Sequence, residues 1–155
     1  MIKSTHPEFE KLIAGNPVNS TLELVDFLEG IDVPYMTQGS VLALNPGIEP
    51  LDEAAIRSEL QRLVSKSQMS ILDLEIHRVT QSTNDVVMQR LAESQSTAIL
   101  CAAEMQTAGK GRRGRRWISP FGRNIYLTYG RFIDRQLSEL GGLSLVIGMV
   151  VVDVL

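Results

Sequence analysis

Residues 106–117 (QTAGKGRRGRRW) combine three glycines with five lysines or arginines and contain no acid. Closely spaced glycines let the backbone adopt φ > 0 and bring its N–H groups close to a ligand. The guanidinium group of arginine pairs with a carboxylate or a phosphate through two hydrogen bonds. This combination predicts a loop that closes over an anionic ligand.

Three other interpretations of this segment compete. Residues 109–114 fit G-x-G-x-x-G, but the dinucleotide-binding fingerprint needs a helix at the third glycine, and Pro120 follows too soon for one. Gly111 stands where a phosphate-binding P-loop needs Ser or Thr after its lysine. A plain nucleic-acid-binding patch stays open on charge alone, although such a patch does not require glycines at regular spacing.

Strands and a helix are predicted around the loop. Residues 97–103 predict a strand before it, and residues 124–129 predict a strand after it. Upstream, the alternating residues 70–79 predict a first strand, followed by a helix over residues 86–92 that residues 84–85 cap. These elements have to hold the loop against the rest of the site.

Two further helices and a cysteine belong to the same half of the chain. Asp52 is expected to cap an amphipathic helix over residues 53–64. The strongly apolar residues 144–155 predict a buried helix. Cys101 lies in the strand before the basic loop and is the only cysteine in the chain. We expect it to be a buried, inert thiol.

A second motif, residues 80–85 (TQSTND), precedes the loop by about two dozen residues. Together the two motifs resemble the biotin protein ligase family, in which a strand runs into a D-S-T-N turn and a G-R-G-R-R-G-R loop follows. The similarity continues through residues 117–127 (WISPFGRNIYL) and 142–151 (GLSLVIGMVV). Gln81 and Lys110 depart from the family pattern, and Lys110 keeps the charge of arginine but loses its planar fork.

The resemblance implies a two-step reaction. Biotin and ATP, with Mg²⁺, give biotinyl-5'-AMP, and biotin then passes to a lysine of a biotin carboxyl carrier protein. Arg112 is the expected catalytic residue, because its place in the loop suits it to hold the carboxyl-phosphate of the intermediate. Trp117 either covers the adenine or anchors the loop. No metal-binding residue is expected.

Ten residues form the expected binding site for biotin and biotinyl-AMP. The short polar side chains at residues 82–84 suit the ureido ring of biotin, but they also suit ordinary helix capping. The ten residues are Ser82, Thr83, Asn84, Gln106, Gly109, Lys110, Gly111, Arg112, Arg115 and Trp117.

The first fifty residues predict two short helices, over residues 9–14 and 21–29, and a hairpin over residues 33–44. We expect residue 19 or 20 to cap the second helix and Gly30 to end it. Helix and hairpin together are similar to the second half of a winged helix, which bifunctional biotin ligases use to repress biotin genes. The second helix is acidic, however, so we expect no DNA binding.

The implied fold is α+β in two parts. Residues 1–50 form a degenerate winged-helix-like domain, which ends in a linker at residues 46–50 that leads into the rest of the chain. Residues 51–155 form the first part of a catalytic domain. Its mixed sheet with helices is related, through the family, to class II aminoacyl-tRNA synthetases.

Charge and composition limit the alternatives. Residues 105–135 hold eight lysines and arginines against one acid, whereas the whole chain has a net charge of −3. The rest of the chain is therefore strongly acidic, which favours a focused anion site over a general polyanion surface. No apolar run is long enough for a transmembrane helix, and the N-terminus lacks a signal peptide. A single cysteine suits a reducing cytoplasm.

The family pattern also contains a K-W-P-N-D segment with a central catalytic lysine, a G-x-G-x-N strand and a small β-barrel. These 155 residues do not contain that segment. We therefore expect an N-terminal fragment that binds biotin weakly, transfers none, and exposes an apolar face. A homodimer is compatible with the resemblance. A ligand-sensing transcriptional regulator and a lipoate-type ligase stay open as alternatives.

Overall fold

The structure is a computed structural model that describes residues 6–65, 72–93, 98–111, 113, 115 and 117–154. Its N-terminal elements are α1 (Pro7–Ile13), β1 (Val18–Asn19), α2 (Leu22–Gly30), β2 (Tyr35–Gln38) and β3 (Val41–Leu44). The three strands form an antiparallel sheet in the order β1, β3, β2. The two helices and the hairpin are thus confirmed, and β1 was not predicted.

The expected ends of α2 were wrong by one or two residues. Thr21 caps the helix, because its backbone is extended and its hydroxyl accepts the N–H of Leu24 at 3.2 Å. Gly30 is the last helical residue, and Ile31 is the C-cap. Gly30 does not adopt a positive φ, so the helix ends without the left-handed glycine that the sequence suggested.

The second half contains α3 (Glu53–Leu63), β4 (Leu72–Thr80), α4 (Thr83–Glu93), β5 (Ala98–Gln106) and β6 (Tyr126–Arg131). A 3₁₀ turn (Leu137–Leu140) and α5 (Leu143–Val154) follow. Strand β5 lies in the middle of a mixed sheet, parallel to β4 and antiparallel to β6. The predicted strands on both sides of the loop are confirmed, as is the cap of α3, where Asp52 accepts the N–H of Ala55 at 3.0 Å.

Helix α4 covers one face of this sheet. Val87 of the helix packs against Ile99 and Cys101 of β5 in a buried cluster. The expected buried thiol is confirmed, since Cys101 is fully buried and this burial raises its pKa to about 11. Gly130 of β6 lies directly under the helix, where the absence of a side chain leaves room for Val87.

The core of the N-terminal elements includes one residue from far along the chain. Phe121, just after the basic loop, is fully buried in the same cluster as Phe9, Leu24 and Leu42. The division of the chain at residue 50 and the winged-helix assignment remain predictions. What the structure adds is that the segment leaving the basic loop packs into the N-terminal core.

A buried carboxylate ties the linker to the sheet. Glu104 of β5 accepts a hydrogen bond from the backbone N–H of Leu51, and Arg78 of β4 lies 3.3 Å from the same carboxylate oxygen. Arg78 also donates to the backbone carbonyl of Leu51 at 3.0 Å. Burial raises the pKa of Glu104, although Leu51 and Arg78 act in the opposite direction.

Helix α5 is not buried, contrary to the sequence-based expectation. Its apolar side chains are exposed between residues 143 and 152, including Leu145 at 74% and Val152 at 75%. A helix that is apolar on all sides is expected to pack against other apolar surface, but within the described residues no such surface covers it. Within the described ranges, no helix has the length and apolar character needed to cross a membrane.

Candidate active site

Both motifs leave the sheet at the same edge. Strands β4 and β5 are parallel and in register, with Thr80 opposite Gln106. Because parallel strands end at the same edge, the turn after β4 and the loop after β5 start side by side. The pairing continues beyond the strands, where Thr107 and Ala108 donate to the carbonyls of Thr80 and Gln81, both at 2.9 Å.

The turn after β4 runs directly into α4, which begins earlier than predicted. Thr83 is already helical, and Ser82 and Thr83 are both buried. The backbone N–H of Thr83 donates to Oε1 of Gln106 at 2.9 Å. A side chain from β5 therefore satisfies a donor of the first turn, so the helix does not depend on residues 84–85 for its cap.

The basic loop folds back on itself. Gly111 donates to the carbonyl of Arg115 at 2.8 Å, and Trp117 donates to the carbonyl of Gly109 at 3.1 Å. A Cβ on Gly111 would lie 2.6 Å from the Arg115 carbonyl, and one on Gly109 would lie 2.9 Å from Oγ of Ser119. These glycines are therefore required by the close approach of the returning chain.

Two expectations about the loop backbone were wrong. Gly109 and Gly111 do not adopt a positive φ, and Arg113 has φ of 62°. Among the described residues of the loop, the left-handed one is thus an arginine. The N–H of Gly111 is bonded within the loop, so it is not directed at a ligand. The reason is that the outgoing and returning segments of the loop hydrogen-bond to each other. The number of glycines does not predict this pairing.

An ion pair joins the two motifs. Nζ of Lys110 in the loop pairs with the carboxylate of Asp85 in the first turn of α4. Both side chains are largely exposed, so solvent screens the pair and its contribution to stability is small. Its effect is positional, because it holds the loop beside the start of α4.

A cavity of about 500 Å³ lies between the turn, the loop and β6. Its volume falls within the range of small-molecule sites. Seven of the ten predicted residues line it, namely Ser82, Thr83, Asn84, Gln106, Lys110, Gly111 and Trp117. The remaining wall comes from residues 125–128, which were not among the predicted site residues.

Two of the other three predicted residues, Gly109 and Arg115, are not among the residues that line this cavity. Gly109 is buried beneath the loop, and Arg115 is exposed on its returning side. Arg112, the expected catalytic residue, lies outside the described residues. The binding roles of all ten residues therefore stay predictions, whereas the proximity of seven of them is a finding.

Residues 76–155 match the biotin/lipoate A/B protein ligase family. This stretch covers half of the chain and contains both motifs and every wall of the cavity. The chain belongs to the biotin/lipoate A/B protein ligase family. The mixed sheet with its helices is consistent with the catalytic domain of this family.

Several curated relatives are similar to part of this chain. The bifunctional ligase/repressor BirA of Salmonella typhimurium is 38% identical over 126 residues, which make up 81% of this chain and 36% of that protein. BirA of Escherichia coli is 41% identical over 99 residues, or 62% of this chain and 30% of that protein. The biotin–[acetyl-CoA-carboxylase] ligase of Mycobacterium tuberculosis is 35% identical over 106 residues, or 67% and 38%. The chain thus spans about a third of the length of these relatives.

In this biotin/lipoate ligase chain, the wall from β6 was missed although a signal was present. Alternation along β6 puts Tyr126 and Thr128 on one face and Leu127 on the other. Tyr126 is buried and donates from its hydroxyl to the carbonyl of Pro120 at 2.8 Å. Thr128 lies 2.8 Å, oxygen to oxygen, from the hydroxyl of Thr83. Because Thr128 is a polar residue on the inward face of a predicted strand, the sequence already contained a signal that it belongs to the site.

Trp117 lines the cavity, and the residue is 58% exposed. Its backbone N–H closes the basic loop, and its exposure leaves the side chain accessible to a ligand. An exposed aromatic face is available for stacking on a flat ligand group. Adenine stacking is therefore open to this side chain, and it stays a prediction.

Proposed function

We propose that this chain carries the first part of the active site of an ATP-dependent biotin protein ligase. Such an enzyme forms biotinyl-5'-AMP and transfers biotin to a lysine of a biotin carboxyl carrier protein. The observation that supports this best is the position of residues 82–84 and the basic loop around one cavity at the edge of the sheet. Its described lining combines the neutral polar side chains of residues 82–84 with Lys110, a cation that is paired with Asp85.

The first step brings two anions together. The carboxylate oxygen of biotin attacks the α-phosphorus of ATP, the bond to pyrophosphate breaks, and a mixed anhydride forms. Positive charge aimed at the developing negative charge lowers the barrier of such a step. We assign this charge to Lys110 and Arg112, and Mg²⁺ enters as part of the ATP substrate. In the second step, the carrier lysine amine attacks the acyl carbon, loses a proton and releases AMP.

The neutral polar side chains of the cavity suit the ureido ring. We assign its recognition to Ser82, Thr83, Asn84 and Gln106, which offer short hydroxyl and amide groups. Trp117 is assigned to the adenine. Four neutral hydrogen bonds at about 1 kcal/mol each amount to roughly 4 kcal/mol, which corresponds to near-millimolar affinity. We therefore expect these 155 residues to bind biotin weakly and to transfer none.

Residues 1–50 are proposed to be a degenerate winged-helix-like domain that does not bind operator DNA. Helix α2 contains Glu23, Asp26 and Glu29 and no lysine or arginine. Phosphate contacts dominate affinity for DNA, and an acidic helix is repelled by the backbone. A gel shift at moderate salt against the upstream region of the gene tests this, and a saturable shift at nanomolar concentration would overturn it.

We also propose a cytoplasmic location.

Ligand-observed NMR with sodium biotin tests the site directly. We expect weak saturable binding to this chain, and we expect Gln106→Leu to reduce it about tenfold or more by removing a polar contact. Gln89→Leu, on the exposed side of α4, is the matched control and leaves binding unchanged. The absence of binding at ten or more times the expected dissociation constant contradicts the proposal.

A biotinylation assay with MgATP and a carrier domain tests transfer. We expect no labelling of the carrier by these 155 residues. Labelling at the rate of an intact ligase would show that the catalytic groups are assigned wrongly. A lipoate-type ligase is the competing function, since the family includes lipoate ligases. Tighter binding of lipoate than of biotin in the same NMR experiment would favour it.

A further inference from the structure

Three side chains that line the cavity are linked to one another by polar contacts. The hydroxyl of Thr128 on β6 lies 2.8 Å from the hydroxyl of Thr83 on α4. The Thr83 hydroxyl in turn lies 3.2 Å from Oε1 of Gln106 on β5. Three elements of the fold therefore meet through polar contacts at the point where the ureido ring is proposed to bind.

The direction of each of these hydrogen bonds follows from its neighbours. The backbone N–H of Thr83 can only donate, so the atom of Gln106 that faces it at 2.9 Å is the carbonyl oxygen. The Thr83 hydroxyl contacts the same oxygen and must also donate to it. A hydroxyl has a single proton, so the Thr83 oxygen can only accept from Thr128. Thr128 is thus the donor.

These directions decide what is left for a ligand. The carbonyl oxygen of Gln106 already accepts two hydrogen bonds, and its amide nitrogen uses one proton on Oγ of Ser119 at 3.3 Å. One amide proton of Gln106 remains as a donor. The Thr128 hydroxyl donates its proton to Thr83, so towards a ligand its oxygen can only accept. The Thr83 oxygen accepts one hydrogen bond and keeps one free lone pair. Together, these three side chains therefore offer one donor beside two acceptors.

We propose that Thr128 is a positioning residue that makes this site select a cyclic urea over a dithiolane ring. This inference rests on the proposed biotin ligase function. A cyclic urea carries two N–H donors and one carbonyl acceptor, which complement the free acceptors and the free donor. A dithiolane has no donor, so binding it leaves the oxygens of Thr128 and Thr83 unpaired, and a site built for hydrogen bonds rejects a ligand that lacks them.

Removing the Thr128 hydroxyl deletes one acceptor and the hydrogen bond that the Thr83 oxygen accepts, whereas Thr83 still donates to Gln106. Thr128→Val keeps the shape of the side chain and its preference for a strand. We expect this variant to bind biotin on the order of tenfold more weakly, the usual effect of one or two hydrogen bonds. Thr128→Ser keeps the hydroxyl and binds biotin within about twofold of the unchanged chain.

The test compares three ligands by ligand-observed NMR on the 155-residue chain. Biotin and desthiobiotin both carry the urea, whereas lipoate carries the dithiolane on the same type of acid chain. Thr128→Val weakens binding of the first two by the same factor and leaves the residual binding of lipoate unchanged. A general loss of structure would weaken all three equally, and that result would overturn the proposal.

The outcomes separate this inference from the proposed function. If the unchanged chain does not bind biotin, the proposed function fails, and the selectivity inferred from it fails as well. If the unchanged chain binds biotin and Thr128→Val binds it equally well, only the role of Thr128 is wrong. Thr128→Ala, checked for folding by circular dichroism, repeats the measurement if the valine variant does not fold.

Discussion

The rings of Phe9 and Phe121 meet edge to face, with their centroids 5.4 Å apart and their planes inclined at 63°. Phe9 belongs to the first helix, and Phe121 follows the basic loop. Aromatic pairs in this geometry stabilise a core beyond the area that they bury. This contact between distant residues therefore helps to hold the chain leaving the candidate site to the N-terminal core.

Replacing Phe121 tests this contact. We expect Phe121→Ala to lower the free energy of unfolding by about 3–5 kcal/mol, because a fully buried ring leaves a cavity. Chemical denaturation followed by circular dichroism measures the change. Phe132→Ala is the control, since Phe132 is 72% exposed and its loss costs less than about 0.5 kcal/mol. Equal effects of the two substitutions would contradict the packing described.

The buried carboxyl group of Glu104 leads to a prediction about how stability depends on pH. Burial raises its pKa, so the folded chain retains a proton at pH values where the unfolded chain has released it. The free energy of unfolding therefore falls as the pH rises from the pKa of Glu104 in the unfolded chain to its higher pKa in the folded chain. Glu104→Gln keeps an oxygen that can accept the N–H of Leu51 and removes the titration. We expect the stability of this variant, relative to the unchanged chain, to increase with pH across that interval.

The matched control for this prediction is Glu10→Gln. Glu10 lies 3.6 Å from the same Arg78, but its side chain is 47% exposed. Thermal unfolding of the three chains, followed between pH 4 and 7.5, gives the comparison. A stability difference for Glu104→Gln that does not change with pH would show that Glu104 titrates normally in the folded chain.

Gly130 is required by the helix that packs above it. A Cβ at this position would lie 2.3 Å from Cγ1 of Val87 and 2.9 Å from Cδ1 of Leu91. We expect Gly130→Ala to destabilise the fold by about 1–3 kcal/mol through overpacking. The double variant Gly130→Ala/Val87→Ala recovers part of this loss relative to the sum of the single changes, which a double-mutant cycle measures.

Gly148 of α5 provides the contrast for Gly130. A Cβ on Gly148 meets no described atom within 4 Å, and the residue lies inside a helix. Gly148→Ala is expected to leave the fold intact and to favour the helix by up to about 1 kcal/mol. A loss of stability as large as that of Gly130→Ala would mean that α5 is packed against something at this face.

Arg112 carries the prediction for catalysis, through its place between the glycines of the loop. In a full-length ligase with this sequence, we expect Arg112→Ala to weaken retention of biotinyl-adenylate by about 1.5–3 kcal/mol, the range for a charge-assisted hydrogen bond. Rapid-quench measurement of intermediate release provides the readout. Arg123→Ala, an exposed cation after the loop, is the control. Release of the intermediate at the unchanged rate would remove Arg112 from its assigned role.

The sequence by itself determined the local features of this protein. The strand, basic loop and strand follow from the apolar runs and the glycines between them. The cap at Asp52 follows from a carboxylate placed three residues before a free N–H. The two motifs also indicated the family. All of these depend on residues that are close together in the chain, so composition and spacing suffice to predict them.

The tertiary structure decided the contacts between distant segments. Gln106 starts α4 by accepting the N–H of Thr83, and Thr128 completes the cavity from a strand that lies beyond the loop. Phe121 enters the N-terminal core, whereas the equally apolar α5 stays exposed. Hydropathy measures only how much a side chain gains by leaving water. Which surface it meets depends on how the elements are arranged, and that arrangement also gives Thr83, Gln106 and Thr128 their hydrogen-bond directions.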